Sequence, residues 1–419
     1  NMSKLIINGG NKLNGELEIS SSKNAYLPII AGCILAGGEV VLHRYPDYTD
    51  TDNMCNILTH LGARTKKQDD CLVVNCENLS HYDIPTELAV VVRSSIFALG
   101  AIVSRFRKAK VAYPGGCEIG ARPIDIHLSG LRQLGVKIVE RHGYIYCDGK
   151  DMHSANIVLD FPSVGATENL MMASVLVKGE TVLYNCAKEP EIVDLQNFLN
   201  TLGAKISGAG TDKIVIEGVK KLHGGEYTPI RDRIIAGTYM IACAMCGGDV
   251  TLKGVNPAFL HSLISKIDKY ACQITCDYDK IRVQSSGKSV ALGKVETAVY
   301  PGFPTDLQAQ ILALQTISSG SCMIVENLFE SRFKHVPELI KMGASIHVKD
   351  RIALVKGVDK LFGADVMATD LRGSASLVLA GLVAEGYTTL SSTKYIDRGY
   401  EHIERELSLL GGDIKRVED

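Results

Sequence analysis

Two kinds of apolar pattern alternate along the chain. The first is a run of small and branched apolar residues that stays hydrophobic nearly all round a helical turn, the mark of a buried helix. Such runs begin near Asn24, Arg93, Val164, Arg233, Asp306 and Arg372, and most stop at glycine, at Gly37-Gly38, Gly179, Gly247-Gly248, Gly320 and Gly386. The second is amphipathic, with apolar residues three and four apart, as in Glu191 to Leu199 or His402 to Leu407. Each amphipathic run leads into a phrase that closes a helix with a small residue and opens a strand. It reads Leu61-Gly62-Ala63, Leu134-Gly135-Val136, Leu202-Gly203-Ala204, Met342-Gly343-Ala344 and Leu410-Gly411-Gly412, with a degenerate copy at Tyr270-Ala271-Cys272. Short β-rich runs such as Glu39 to Leu42 and Glu180 to Leu183 lie between, and a hairpin strand such as Lys213 to Ile216 closes the unit. The phrase returns about every 70 residues, which predicts six units of the form β-α-β-α-β-β, each with one inner and one surface helix. Solenoid repeats are shorter, roughly 20 to 45 residues. Three units make about the size that one core supports, so two lobes of three units are expected.

Composition narrows the class. The 419 residues carry 45 Lys+Arg against 47 Asp+Glu, a net charge of −2, and no basic excess of the kind that would bind a nucleic-acid backbone. A chain 46% hydrophobic and 22% charged is expected to fold. Met2 runs straight into a strand-like segment with no secretory signal, so the 12 cysteines are expected to be reduced thiols of a cytoplasmic protein. No apolar stretch, Ser95 to Ser104 between Arg93 and Arg105 included, reaches the ~18 residues of a membrane span.

With the units overlaid, the polar residues that look misplaced in apolar helices fall at first turns. They are Lys23-Asn24, Arg93-Ser94, Ser163-Val164-Gly165, Asp232-Arg233, Thr305-Asp306 and Asp370-Leu371-Arg372. A second set precedes the amphipathic helices: Arg122-Pro123-Ile124-Asp125, Glu189-Pro190-Glu191, Arg332-Phe333-Lys334-His335 and Asp397-Arg398. Capping alone accounts for any one Ser, Thr or Asp here. Lys and Arg at such a place oppose the helix dipole, and a bound anion would relieve the conflict. The second unit also carries the loop Tyr113-Pro114-Gly115-Gly116-Cys117-Glu118-Ile119-Gly120-Ala121-Arg122-Pro123, whose glycines and nearby Arg122 predict an exposed Cys117 thiol of lowered pKa, usable as acid or nucleophile. Cys33, Cys243 and Cys322 are expected to be buried and inert, and Cys243 with Cys246 reads as core, with no second pair of metal ligands. Gly115 and Gly120 are not followed by Lys-Ser or Lys-Thr, so no phosphate-binding P-loop is present, and no metal-binding His-Glu-x-x-His motif occurs.

From end to end the chain resembles the UDP-N-acetylglucosamine 1-carboxyvinyltransferase family of enolpyruvyl transferases. The residues that carry the likeness are Ser22-Lys23-Asn24, the Cys117 loop, Ser163 to Thr167, Glu189 to Asp194, Phe303-Pro304-Thr305-Asp306-Leu307-Gln308-Ala309-Gln310, Met367 to Arg372 and Ile396 to Tyr400. The resemblance implies an α/β fold of two inverse α/β barrel domains. Residues 22–230 would form one, and 1–21 with 231–419 the other, with the active site in the cleft between them. It implies transfer of the enolpyruvyl group of phosphoenolpyruvate to the 3′-hydroxyl of UDP-N-acetylglucosamine with release of phosphate, at the start of peptidoglycan synthesis. Those two small molecules would be its partners, with no nucleic acid, membrane, metal or organic cofactor. By position, Lys23, Arg122 and Arg398 would hold phosphoenolpyruvate. Asn24, Arg93, Arg122, Pro123, Ile124, Asp125, Ile126, Phe161, Pro162, Ser163, Val164, Gly165, Thr305, Asp306, Leu328 and Arg332 would line the substrate sites. Asp306 would take the sugar hydroxyl proton. Cys117 would act as general acid or aid product release, and would be the site of covalent attachment to phosphoenolpyruvate and of alkylation by fosfomycin. Asp370 and Arg372 would support the loop and domain closure.

Two departures stand out: Ser21-Ser22 replaces a Gly-Ala pair before Lys23, where it would stiffen a hinge, and Gly373 stands where the family often has Ala. Two other readings remain open. One is the sister enzyme acting on shikimate 3-phosphate, which needs no cysteine loop, and the other is an inactive homologue serving as scaffold or thiol sensor.

Overall fold

The structure, a computed structural model, describes residues 2–114, 124–268, 270 and 272–418. The chain divides into two compact units. One runs from Ser21 to Ile230, and the other joins the segment that ends at Ser20 to the one that begins at Arg231.

The described residues form six four-stranded sheets built on one plan. In the clearest copy, Asn156–Val158 runs parallel to Glu180–Tyr184, which pairs antiparallel with Lys213–Glu217, itself paired with Lys205–Ser207. A parallel step needs a crossover, and the apolar helix Val164–Ser174 supplies it. Amphipathic Pro190–Thr201 follows the second strand, so the unit reads β-α-β-α-β-β. Two sheets exchange their first strands. Leu13–Glu18 precedes helix Lys23–Gly32 in sequence but pairs with Gly248–Lys253, while Gly225–Tyr227 precedes helix Arg233–Cys246 but pairs with Glu39–Leu42. The unit that begins at Arg231 thus completes a sheet with a strand from the chain's start. Ser3–Asn8 does the same for the last sheet, between Tyr387–Ser391 and Asp413–Glu418.

The glycine of the repeated phrase has a local cause. Gly62, Gly135, Gly203, Gly343 and Gly411 all have positive φ, between 88° and 109°, backbone that a side chain would strain. The inner helices need small residues for a different reason. A Cβ on Gly100 would lie 2.2 Å from the carbonyl oxygen of Asn169, so helices Phe97–Phe106 and Val164–Ser174 can cross only where one lacks a side chain. Two inner helices start later than the pattern suggests, because 3-10 turns at Arg93–Ile96 and Thr305–Leu307 precede Phe97–Phe106 and Gln308–Thr316.

No helix among the described residues is long and apolar enough to cross a membrane. The described cysteines are all free. Cys243 and Cys246 sit late in helix Arg233–Cys246, where burial pushes both thiols up to about 12, and Cys33 and Cys322 are buried.

Candidate active site

In the unit from Ser21 to Ile230, four helix starts carry the predicted residues. Ser22 caps helix Lys23–Gly32 by accepting from Ala25 N at 3.1 Å, and Ser21 Oγ donates to the Arg44 carbonyl at 2.7 Å, so the two serines secure local turns. Lys23 beside them is only 9% exposed, its Nζ 3.3 Å from Oδ2 of Asp50, which is itself buried. A charge this far from water requires such a partner. Asn24 is half-buried in the same turn. Ser163 caps Val164–Ser174 through Ala166 N at 3.2 Å, as plain capping predicts, with half-buried Pro162 and exposed Phe161 on its approach. Ile124, Asp125 and Ile126 open helix Asp125–Gln133.

Arg93, Gly165 and one residue unmarked by the sequence pattern, His127, meet in this unit. A Cβ on Gly165 would lie 3.1 Å from His127 Cε1. Asn169 Oδ1 is taken by the Gly100 N–H at 2.6 Å, so its Nδ2 faces His127 Nδ1 at 3.0 Å and the imidazole must accept there. Burial, and then the positive charge of Arg93, push His127 down to about 4. The ring is therefore neutral near pH 7, with its proton on Nε2. Since the unfolded chain titrates near pH 6.5, it binds a proton between pH 6.5 and 4 that the folded chain refuses. Stability is expected to fall as pH drops through that window, by about 3 kcal/mol at this residue. Urea unfolding of the wild type and His127→Gln at pH 7 and pH 4.5 checks this: the variant should lose less on acidification. Three acidic groups of this unit interact with one another. Burial, then Glu191 and Glu189, push the Glu168 carboxyl well above the usual carboxylate range.

In the unit that begins at Arg231, the predicted residues converge on Asp306. Arg332 Nη2 lies 2.9 Å from its Oδ1 and Arg372 Nη2 lies 3.6 Å from its Oδ2. Both arginines are almost fully buried. Arg372 stacks on Tyr400, its guanidinium carbon 5.7 Å from the ring centroid. Burial opposes the Arg372 charge, but Asp306, Tyr400 and Asp232 outweigh it, so the guanidinium is held more firmly protonated than usual. Its Nη1 and Nη2 are buried, with Asp306 and the Tyr400 ring as their neighbours. Asp370 caps the helix of Arg372, its Oδ2 accepting from Gly373 N at 2.9 Å. An alanine at 373 would put its Cβ 2.4 Å from Asp370 Oδ1, so the glycine matches this cap. The neutral His335 ring packs beneath, pushed down to about 4 by burial. Arg398 lies on its own turn, Ile396–Arg398, beside Asp397, whose carboxylate is tied to Arg416 at 2.7 Å.

The base of this arrangement is Glu326, which sequence reasoning missed. It is wholly buried and accepts from Thr305 Oγ1 and Thr297 Oγ1, each at 2.9 Å, from Gln308 Nε2 at 3.3 Å, and from the N–H groups of Leu328 and Phe329. Thr305 Oγ1 in turn lies 3.0 Å from Arg332 Nη1. Through these bonds Glu326 fixes the turn that carries Asp306, the arginine that grips it and the Leu328 segment. Cys117, Arg122 and Pro123 lie outside the described residues.

The six-unit fold that carries these residues is shared with solved enolpyruvyl transferases. The fold overlays that of the enolpyruvyl transferase NikO from Streptomyces tendae with a TM-score of 0.86 over 99% of each chain, at 25% sequence identity. EPSP synthase from Acinetobacter baumannii shares the fold alone, with a TM-score of 0.73 over 100% of each chain at 16% identity. Residues 7–407 match the family EPSP synthase (3-phosphoshikimate 1-carboxyvinyltransferase), and the chain belongs to that family. Within it, the sequence is 49% identical to UDP-N-acetylglucosamine 1-carboxyvinyltransferase 2 of Caldanaerobacter subterraneus, over 99% of this chain and 100% of that one. It is 46% identical to UDP-N-acetylglucosamine 1-carboxyvinyltransferase of Hamiltonella defensa, over 100% and 99% of the two chains.

Proposed function

We infer that this protein transfers the enolpyruvyl group of phosphoenolpyruvate to the 3′-hydroxyl of UDP-N-acetylglucosamine and releases phosphate. The observation that carries this reading is the near-complete match, at 49% and 46% identity, to transferases with that acceptor in their names. The reaction would open peptidoglycan synthesis and run in the cytoplasm without metal or organic cofactor.

The site roles follow from charge and position. Phosphoenolpyruvate is a carboxylate and a phosphate on one small frame, and Lys23, Arg122 and Arg398 supply cations for both. Arg93 and the N–H groups of Ser163, Val164 and Gly165 would receive the diphosphate, which suits a helix start. Asn24, Ile124, Asp125, Ile126, Phe161, Pro162, Thr305 and Leu328 would line the UDP-sugar, and Arg332, Asp370 and Arg372 would hold the acceptor end. Asp306 would take the hydroxyl proton. Addition to an enol ether develops positive charge at C2, and a fixed carboxylate nearby lowers that barrier. Cys117 would deliver a proton to the methylene carbon or assist product release, and would be the thiol that covalent reagents reach.

Phosphate release from phosphoenolpyruvate, assayed with each acceptor in turn, tests the reading. Release is expected with UDP-N-acetylglucosamine and not with shikimate 3-phosphate. Release with shikimate 3-phosphate alone would assign the sister activity, and release with neither would leave a binding protein or thiol sensor.

A further inference from the structure

In the unit from Ser21 to Ile230, away from the helix starts just described, three side chains of different chemistry converge at a sheet edge. His43 follows strand Glu39–Leu42, its own N–H bonded to the Tyr227 carbonyl at 3.0 Å. Asp70 and Cys71 come from the tight turn between strands Arg64–Gln68 and Cys71–Asn75, where Asp69 takes a positive φ of 55° and the Asp70 carbonyl accepts from Tyr45 N at 2.7 Å. Backbone bonds therefore hold the two segments together without help from these side chains. Cys71 Sγ lies 3.3 Å from His43 Nδ1 and 3.3 Å from Asp70 Oδ1, and one ligand atom from each residue falls within 4.8 Å of the others.

We propose that His43, Asp70 and Cys71 form a binding site for a divalent cation of the zinc class, with water completing the shell. Bond lengths of about 2.3 Å to sulfur and about 2.0 Å to nitrogen, at a tetrahedral angle, place those two atoms about 3.5 Å apart. The observed 3.3 Å reaches that with a few tenths of an ångström of movement at half-exposed side chains. A second observation points the same way. His43 Nε2 lies 3.2 Å from Glu226 Oε2 on the neighbouring strand Gly225–Tyr227, which fixes the proton on Nε2 and leaves the Nδ1 lone pair toward Cys71 and Asp70. A carboxylate behind a histidine is how proteins orient an imidazole that binds metal. On binding, the thiol gives one proton to solvent as the sulfur–metal bond forms, and His43 binds as the neutral ring. Among the described residues no other His, Cys, Asp or Glu trio is so placed.

Titration of the full-length protein with Co²⁺, followed by absorbance, tests the site, because cobalt bound to thiolate gives an intense near-ultraviolet charge-transfer band. A band that saturates, is displaced by Zn²⁺ and disappears in Cys71→Ser is expected. His43→Ala should lose the same band, and Glu226→Gln should weaken cobalt binding about 10- to 100-fold. The exposed thiol Cys276, in the other unit, provides the control: Cys276→Ser should leave the band unchanged. Absence of the band in wild type, its persistence in Cys71→Ser or His43→Ala, or an unchanged affinity in Glu226→Gln would overturn the proposal. All of these substitutions lie at the surface, and a matching thermal unfolding curve for each verifies that the fold is kept.

Discussion

Asp306→Asn is expected to lower kcat by about 10² to 10⁴, the range over which a positioned general base acts. The substitution preserves volume and one carbonyl oxygen but removes the group that can take the sugar hydroxyl proton. It also leaves Arg332 and Arg372 facing a neutral amide, and both guanidiniums are almost fully buried. Two effects could then mimic one another, loss of the base and local misplacement by unbalanced charge. Asp306→Glu separates them, because it keeps the carboxylate and both ion pairs while moving the oxygens by a methylene. If Asp306 is the base, the glutamate variant should recover part of kcat while the asparagine variant does not, with KM for the UDP-sugar changed less than kcat in both. Single-turnover kinetics make the measurement. A kcat for Asp306→Asn within tenfold of wild type would place the base elsewhere.

Glu326→Ala is expected to destabilise the protein by about 3 to 5 kcal/mol and to reduce activity as well. This carboxylate is 0% exposed and takes bonds from Thr297, Thr305, Gln308, Leu328 and Phe329. Its removal strands several buried donors at once, and an unmade buried hydrogen bond costs more than a made one contributes. Glu326→Gln should lose less, since one amide oxygen can still accept while the amide nitrogen repels two backbone N–H groups. Urea unfolding ranks the three proteins, and a loss below about 1 kcal/mol for the alanine variant would show that water replaces the carboxylate. Because Thr305 precedes Asp306 and also accepts from Arg332, the drop in kcat should exceed what the lost folded fraction explains.

The repeat was legible because each of its marks answers to a local requirement. A helix that must turn back into a strand needs left-handed backbone one residue past its end, so glycine stands at 62, 135, 203, 343 and 411. A helix packed on every side needs small apolar residues all round. The capping residues were legible for the same reason, since Ser22, Ser163 and Asp370 each bond a backbone N–H within three residues. Glu326 was not legible. It follows the half-buried strand Ser321–Val325 and reads as an ordinary polar residue at a strand end, until segments from Thr297, Thr305 and Gln308 close over it. His127 and Asn169 escaped notice likewise. An amphipathic helix often carries a histidine, and the meaning of Asn169 depends on Gly100 arriving from 69 residues away. The exchanged strands Leu13–Glu18 and Gly225–Tyr227 left no mark in the apolar pattern and were foreshadowed only by the family resemblance, because a strand's pattern records which face is buried and not which neighbour it pairs with.

By itself, then, the sequence determined the unit, its six copies, the turns that end its helices and the residues that cap their starts, because backbone conformation and capping are set by residues a few positions apart. The tertiary structure alone decided which strands complete which sheet, that Asp306 stands between two arginines, and that Glu326 and His127 lie away from water. Burial turns an ordinary carboxylate or imidazole into an anchor or a neutral ring, and burial depends on chain segments that meet only in the fold.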